Sequence, residues 1–382
     1  MMPVDQSARA LLMAIVQTPA MSDQQGLVEL VQAVEDWGAL IDVAHQHRLL
    51  PLLFSQIGEI DVPLPPEARQ KLRTEYDRNV FHNLANATEL VGLLRAFDLQ
   101  DIPAMPFKGI VLAASVYPSI TIRAAGDLDF LVFYKDLPRA TSMLRAKGYE
   151  LKTELRDGLP ANPNYYEYHF ERGSDGMVVE LRWKLELIQP RFRHDLGMEW
   201  VWPRRQKVSV GGVDIPNLDP VSTLLILCMH GTKHLWSRMI WVYDVARLLV
   251  TNPELDWEAA ARDAKQRGLW RALALGILLA KRICGAPVPV RMIERFASDK
   301  AARELADYFQ KNMLEHPGQM PPSRVPYSLR VLDSIDRIRW ALTLDFLKPN
   351  ERDLAAVRLP GALRPVYFLV RPFRVLFDRS AR

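Results

Sequence analysis

Apolar residues recur at three- and four-residue intervals through most of residues 8–100, which is the spacing of one face of an α-helix. Pro51 stands at a suitable helix start within this segment. The pattern predicts an N-terminal helical region over residues 1–100. We interpret its three imidazoles as surface or packing residues of these helices: His45, His47 and His82.

The pattern changes near residue 101, where short apolar runs alternate with helical periods. This alternation predicts an α+β core over residues 101–210, a small mixed sheet backed by helices. The predicted strands cover 101–107, 127–133 and a hairpin over 165–183 with Gly173 and Gly176 in its turn, and the predicted helices cover 110–117 and 135–148.

From Pro220 to about residue 310 the period is helical again, so residues 211–382 are predicted to form a C-terminal helical region. Its last segment, 358–382, carries six arginines among aromatic and aliphatic residues, with three prolines that exclude one long helix. We expect this basic aromatic tail to dock on the protein's own helices. The alternative is contact with an anionic membrane surface.

The bulk composition is that of an ordinary globular protein, with 49% hydrophobic and 25% charged residues among 382. A net charge of +4 does not indicate nucleic-acid binding, but it is compatible with an anionic substrate. Two distant cysteines exclude a disulfide framework. Because no apolar run reaches the length of about 18 residues that a membrane span needs, we expect a soluble cytoplasmic protein without stable membrane insertion.

Two carboxylates, Asp127 and Asp129, stand at the start of a predicted strand. Residues two apart on a strand point to the same face, and like charges held so close repel unless a cation lies between them. Glu180, inside the apolar run of the predicted hairpin, could supply a third oxygen ligand. The three acids predict a Mg²⁺ site, with Mn²⁺ as a substitute, of the kind used in phosphoryl transfer. The alternative is that the aspartates cap a turn and Glu180 faces solvent.

A phosphate site is predicted at Lys108 and Gly109, which lie at a strand-to-helix turn. Glycine lets the backbone approach a phosphate closely, the helix N-terminus favours an anion, and the lysine adds a point charge. Arg123, four residues before Asp127, could clamp a phosphate or orient an acid. A surface arginine is the alternative.

A second polar cluster lies in residues 228–246, which we take as one helix. At 100° per residue, six polar or aromatic residues fall within roughly 140° of arc, opposite an apolar face. They are His230, Lys233, His234, Arg238, Trp241 and Asp244. We interpret them as a substrate-binding wall, with Lys233 and Arg238 near phosphates and Trp241 against a base. The first alternative is an ordinary solvent-exposed helix face. A zinc site is the second, and it lacks an evident third ligand.

These residues carry a resemblance to a known family. Lys108-Gly109 opening a helix, then Tyr117, Arg123 and residues 126–129, with residues 230–249 as a second motif, are similar to the uncharacterised nucleotidyltransferase family of the DNA polymerase β-like superfamily. The resemblance implies a minimal nucleotidyltransferase fold in which Asp127, Asp129 and Glu180 are the catalytic, metal-binding acids. Where the wider superfamily usually has Ser or Gly as a phosphate contact, this chain has Ile110.

The function expected from this resemblance is Mg²⁺-dependent transfer of NMP from a nucleoside triphosphate to an acceptor, with release of pyrophosphate. Losing a metal ligand such as Asp129 should then damage turnover more than folding. The acceptor is unidentified, and a small molecule or peptide is favoured over nucleic acid because the basic residues between 191 and 207 are few. The alternative is a catalytically inactive module that binds a nucleotide or a protein partner, and Ile110 is its best argument.

Overall fold

The structure is a computed structural model that describes residues 6–17, 24–60, 62–153, 155–156, 159–160, 166–185, 196–316, 318–322 and 327–332. The basic aromatic tail and the arginines at 191 and 193 lie outside the described residues. Among the described helices, none combines the length and apolar character that crossing a membrane would require.

The N-terminal region is helical, as its periodicity predicts. Asp36 caps one helix by accepting from the amide of Ala39 at 2.9 Å, and prolines stand in the first turn of two others. The helices are α1 (Gln6–Ile15), α2 (Gln24–Gln32), α3 (Trp37–Gln46), α4 (Leu50–Ile57) and α5 (Pro66–Asp98).

A five-stranded mixed sheet confirms the predicted α+β class. The elements of this part are β1 (Ala104–Phe107), α6 (Gly109–Val116), β2 (Leu128–Val132), α7 (Leu137–Ala146), β3 (Tyr149–Leu151), β4 (Leu155–Arg156), β5 (Leu159–Pro160), β6 (Glu167–Arg172), β7 (Met177–Arg182) and α8 (Met198–Val201). The strand order of the sheet is β1-β2-β7-β6-β3, and β2 and β7 are the parallel pair.

One hairpin was not predicted from the sequence. β8 (Gln206–Val210) and β9 (Val213–Asn217) pair antiparallel, and their two-residue turn is Gly211-Gly212 with φ of 59° and 79°. Such a turn needs positive φ at both positions, which glycine adopts without strain. β8 contacts α6 and β9 contacts β1, so the hairpin packs against the first helix and the first strand of the α+β part.

The C-terminal region packs around one buried helix. α12 has apolar, largely buried residues on nearly every side, and it contacts the helices on both sides of it in the chain. The helices are α9 (Pro220–Lys233), α10 (Met239–Thr251), α11 (Trp257–Gln266), α12 (Trp270–Cys284), α13 (Val290–Ala297), α14 (Lys300–Asn312) and α15 (Tyr327–Val331).

The expectation of one continuous helix over residues 228–246 is wrong. α9 ends at Lys233 and α10 begins at Met239, and between them Leu235 and Trp236 have φ of 57° and 47°. The break turns the Trp236 indole into the core, where it is fully buried. A Cβ on Gly231 would lie 2.5 Å from that indole, so the missing side chain makes room for the ring.

The long helix α5 holds the loop that leads into β2. Amide nitrogens of Asn79, Asn83 and Asn86 donate to loop carbonyls, and their spacing of four and three residues places them on one side of the helix. Asn83 donates to two carbonyls, those of Ile120 at 2.5 Å and Arg123 at 2.7 Å. The position of the loop therefore depends on the N-terminal region.

We expect Asn83→Ala to lower the free energy of unfolding by about 1–3 kcal/mol, because two buried carbonyls lose their donor. Denaturant unfolding followed by circular dichroism measures this change. Asn252→Ala is the control, since it removes amide bonds only at the end of α10, and it should cost less. Equal losses in the two variants would show that the loop does not depend on Asn83.

We expect Gly231→Ala to destabilise the protein by about 1–3 kcal/mol or more, because the new Cβ meets the Trp236 ring. Gly92→Ala on α5 is a matched control, because a Cβ there meets nothing within 4 Å. That control should be neutral or stabilising by up to about 1 kcal/mol. Indistinguishable unfolding curves for the two variants would contradict the packing of Trp236.

Candidate active site

Three carboxylates meet where β2 and β7 run side by side. Asp129 lies directly opposite Glu180 in the parallel pairing, and Asp127 immediately precedes β2. One oxygen of each lies within 4.8 Å of the others, and no other such group of acids, histidines or cysteines occurs among the described residues. The structure therefore brings together the three acids that the sequence predicted.

Two cations hold the central carboxylate. Lys108 Nζ lies 3.0 Å from one oxygen of Asp129, and Arg182 Nε lies 3.3 Å from the other. Arg182 also pairs with Glu180 and with Glu167 of β6. Arg182 was missed from the sequence, although its place two residues after Glu180 puts it on the same face of β7.

The charges shift the pKa values of the two facing acids in opposite directions. Burial disfavours ionisation of Asp129, but Lys108 and Arg182 outweigh it and hold the pKa of that carboxyl below its usual value. Burial raises the pKa of Glu180 to about 7, and repulsion from Asp129 adds to the rise while Arg182 opposes it. The negative charge of the pair is therefore concentrated on Asp129.

The turn between β1 and α6 brings Lys108 to the acids. Lys108 and Gly109 have φ of 58° and 41°, and a Cβ on Gly109 would lie 3.3 Å from the carbonyl oxygen of Asp127. Positive φ is unusual for lysine and is a form of strain that concentrates at functional sites. Ile110, only 1% exposed, packs in the core, so its side chain offers no contact to a phosphate.

Arg123 and Asp244 form a buried ion pair that joins the loop before β2 to α10. Two guanidinium nitrogens of Arg123 lie 2.7 and 2.8 Å from the two oxygens of Asp244, and the Tyr117 hydroxyl donates to Asp244 at 2.7 Å. Arg123 is 7% exposed and Asp244 is 0% exposed, so Arg123 is not a surface arginine. Asp244, predicted on the substrate-binding wall, instead faces inward because the helix is broken ahead of it.

The remaining residues of the predicted wall do share one cavity with the acids. This carboxylate cavity has a volume of about 430 Å³ and is also lined by Lys108, Gly109, Arg123, Arg182 and Arg48. The wall residues that line it are His230, Lys233, His234, Arg238 and Trp241. Although the helix is broken between α9 and α10, five of the six predicted wall residues therefore still line this one cavity.

The aromatic rings of this wall pack against one another in tilted and edge-to-face contacts. The ring centres of His230 and His234 lie 4.6 Å apart, and those of His230 and Trp241 lie 5.0 Å apart. The guanidinium of Arg238 lies 5.4 Å from the centre of the Trp241 ring. Burial and nearby cations lower the pKa of both histidines, to about 4 for His234, so both imidazoles are neutral at pH 7.

Arg48 is a second cavity residue that the sequence did not reveal. It follows α3 with a φ of 56°, and its side chain reaches the cavity from the N-terminal region. An arginine in a helical segment gives no sequence signal of such a role, because its position depends on the turn between α3 and α4.

The model of the family described as uncharacterised nucleotidyltransferase matches residues 33–285. No curated protein matches the chain.

Two solved structures are similar to parts of the chain. One is the solution structure of the antibiotic-resistance factor ANT(2'')-Ia, with 14% identity and a TM-score of 0.31, covering 48% of this chain and 97% of that one. The other is an antigenic nucleotidyltransferase-like protein from Paracoccidioides brasiliensis, with 15% identity and a TM-score of 0.29, covering 49% of this chain and 91% of that one.

The family match spans more than half of the chain and includes the three carboxylates, the Lys108 turn and the wall of the cavity. The chain belongs to the uncharacterised nucleotidyltransferase family.

Proposed function

We propose that the protein is a Mg²⁺-dependent nucleotidyltransferase that moves NMP from a nucleoside triphosphate, such as ATP, to an acceptor and releases pyrophosphate. The observation that carries this proposal is the meeting of Asp127, Asp129 and Glu180 in a cavity that two lysines and four arginines also line. Carboxylates that converge beside cationic walls are suited to a metal-bound polyphosphate.

The donor set fits a hard divalent cation. Asp127, Asp129 and Glu180 offer only carboxylate oxygens, which Mg²⁺ and Mn²⁺ prefer over softer ligands. These three residues would hold the metal, which when bound supplies charge neutralisation to the transferred phosphoryl group.

The walls of the cavity suit the other parts of a nucleotide. Lys108 and the exposed Lys233 offer charge to the triphosphate, and the Gly109 turn, which lines the cavity at the start of α6, presents backbone to a phosphate. Trp241, which contacts His230 edge-to-face and His234 at a tilt, presents an aromatic surface for a base. Arg123 acts indirectly in this scheme, since its pairing with Asp244 fixes the loop before Asp127.

In the transfer, an acceptor oxygen forms a bond to the α-phosphorus. The bond from that phosphorus to the oxygen bridging the α- and β-phosphates breaks, and its electron pair leaves with pyrophosphate. Where the acceptor atom is a hydroxyl oxygen, Glu180 is placed to take up its proton. We favour a small molecule or peptide as acceptor, and a cytoplasmic location, where nucleotides are available and the buried thiols Cys228 and Cys284 stay reduced.

The second candidate function is a catalytically inactive module that binds a nucleotide or a protein partner. Two observations favour it: both oxygens of Asp129 already have cationic partners, and Ile110 offers no phosphate contact. Calorimetry with ATP, GTP, CTP and UTP, each with and without Mg²⁺, separates the two functions. Metal-dependent binding followed by pyrophosphate release supports the enzyme, while binding without turnover across varied acceptors supports the module.

We expect Asp127→Asn to reduce pyrophosphate release on the order of 100-fold or more, since it removes a metal ligand. Its thermal midpoint should change little, because Asp127 is only half-buried and has no ion pair within the described part of the chain. Asp214→Asn, an exposed carboxylate on β9, is the matched control and should keep full turnover. Turnover of Asp127→Asn near the wild-type rate would contradict the metal assignment.

Asp129 is a less suitable test residue than the sequence indicated. Its carboxylate is buried and compensates Lys108 and Arg182, so Asp129→Ala would also take from Lys108 its ion-pair partner and from Arg182 one of its three. Loss of activity in that variant would therefore mix a lost ligand with lost stability. Asp127→Asn avoids this ambiguity.

A further inference from the structure

A second cavity adjoins the carboxylate cavity. This N-terminal cavity has a volume of about 460 Å³ and lies between the α3–α4 segment and α5, with His45, Asn79 and His82 among its lining residues. Arg48, Ala124 and Arg238 line both cavities, so the two share a border. A volume of this size is in the range of small-molecule sites.

Three cations that line the two cavities have no ion pair among the described residues: Lys233, which lines only the carboxylate cavity, and the two arginines at the border. Lys108, Arg123 and Arg182 each have a carboxylate partner, and in the N-terminal cavity Arg78 pairs with Glu75 at 2.7 Å. In contrast, Arg48 and Arg238, which line both cavities and which we call the border arginines, have no ion pair with any residue that the structure describes.

The lowered pKa of Arg48 is consistent with a guanidinium group that has no carboxylate partner. Burial lowers the pKa of its guanidinium, and repulsion from Arg238 and Arg123 lowers it further, with attraction to Asp127 as a smaller opposing effect. Two partly buried guanidinium groups without an anion between them are unfavourable. An anionic ligand at the border would remove that cost.

The two arginines are fixed next to each other by the backbone. The amide of Met239 donates to His47 Nδ1 at 3.2 Å, and the amide of Ile240 donates to the His47 carbonyl at 3.3 Å. These bonds join the residue before Arg48 to the two residues after Arg238. The arrangement is therefore built by the fold before any ligand binds, which lowers the entropy cost of binding.

We propose that the N-terminal cavity is the acceptor site and that it takes an anionic small molecule whose phosphate or carboxylate group is bound by Arg48 and Arg238. This inference rests on the proposed nucleotidyl transfer. Lys108 and Lys233 lie in the carboxylate cavity and serve the triphosphate, whereas the border arginines serve the acceptor. An acceptor held there enters the carboxylate cavity across the shared border at Arg48, Ala124 and Arg238, and its attacking oxygen reaches the α-phosphorus as described above.

A binding experiment tests the site without turnover. Calorimetry measures binding of inorganic phosphate and of malonate to the full chain, alone and with a saturating α,β-methylene analogue of the best-bound nucleoside triphosphate. We expect at least one anion to bind together with the analogue, and preference between the two anions identifies phosphate or carboxylate as the recognised group. Competition between analogue and anion, or no anion binding, would overturn the proposal.

Variants assign the binding to the border arginines. Arg48→Gln and Arg238→Gln should each weaken anion binding about tenfold or more, and Arg48→Lys, which keeps the charge, should weaken it less. Arg69→Gln, an exposed arginine on α5, is the matched control and should bind as wild type. Unchanged anion binding in both glutamine variants, or equal loss in the control, would show that the anion binds elsewhere.

A kinetic experiment then tests the role in transfer. Pyrophosphate release is measured with matched acceptors, ribose 5-phosphate against ribose and gluconate against glucose. We expect release only with anionic members, and in Arg48→Gln a KM for the acceptor raised at least tenfold with the KM for the nucleotide within about twofold. An equal rise in both KM values would place Arg48 in the triphosphate site and overturn the inference.

The two proposals fail in different ways. If no nucleotide binds, or if no acceptor gives release of pyrophosphate from the nucleotide, the proposed transfer fails. Anion binding by the variants then still decides whether Arg48 and Arg238 form an anion site. Pyrophosphate release that is equally fast with neutral acceptors would keep the transfer and reject the anionic acceptor.

Discussion

The repulsion between Asp129 and Glu180, which face each other across the parallel strands β2 and β7, is the constraint on which the rest of the site depends. When both carboxylates are ionised, their charges lie within 4.8 Å of each other and repel by about 3 kcal/mol at an effective dielectric constant of about 20. Lys108 from the α6 turn and Arg182 from β7 offset this repulsion. The strained turn at Lys108 and the buried guanidinium of Arg182 are thus both explained by the acids that they neutralise.

The same site joins the three regions of the chain. α5 fixes the loop before β2 through its asparagine amides, and the buried pair of Arg123 and Asp244 ties that loop to α10. Removing either partner of such a pair would leave a buried charge without compensation. The mixed sheet carries the acids, but their surroundings come from the N-terminal and C-terminal helices, so residues 101–210 alone do not contain the whole cavity.

The sequence predicted those features that depend on local periodicity. Strand alternation put Asp127 and Asp129 on one face, and Glu180 was selected as the acid inside the apolar run of the hairpin. Alternation applied two residues beyond Glu180 would also have indicated Arg182. The break at Trp236 was not predictable in this way, because it depends on space at Gly231 inside the folded molecule. Arg48 was missed for a similar reason, since a turn between two helices brings it to the cavity.

The arrangement of cations bears on how a metal would enter. Lys108 and Arg182 already occupy the two oxygens of Asp129, so a divalent ion there would replace protein cations rather than fill a bare acidic cluster. The ion's two positive charges would balance the acids and free Lys108 to contact phosphate oxygens in the same cavity. On the proposed function, Lys108 would therefore have two roles: it stabilises Asp129 in the protein without a ligand, and it would contact the triphosphate when a metal is bound.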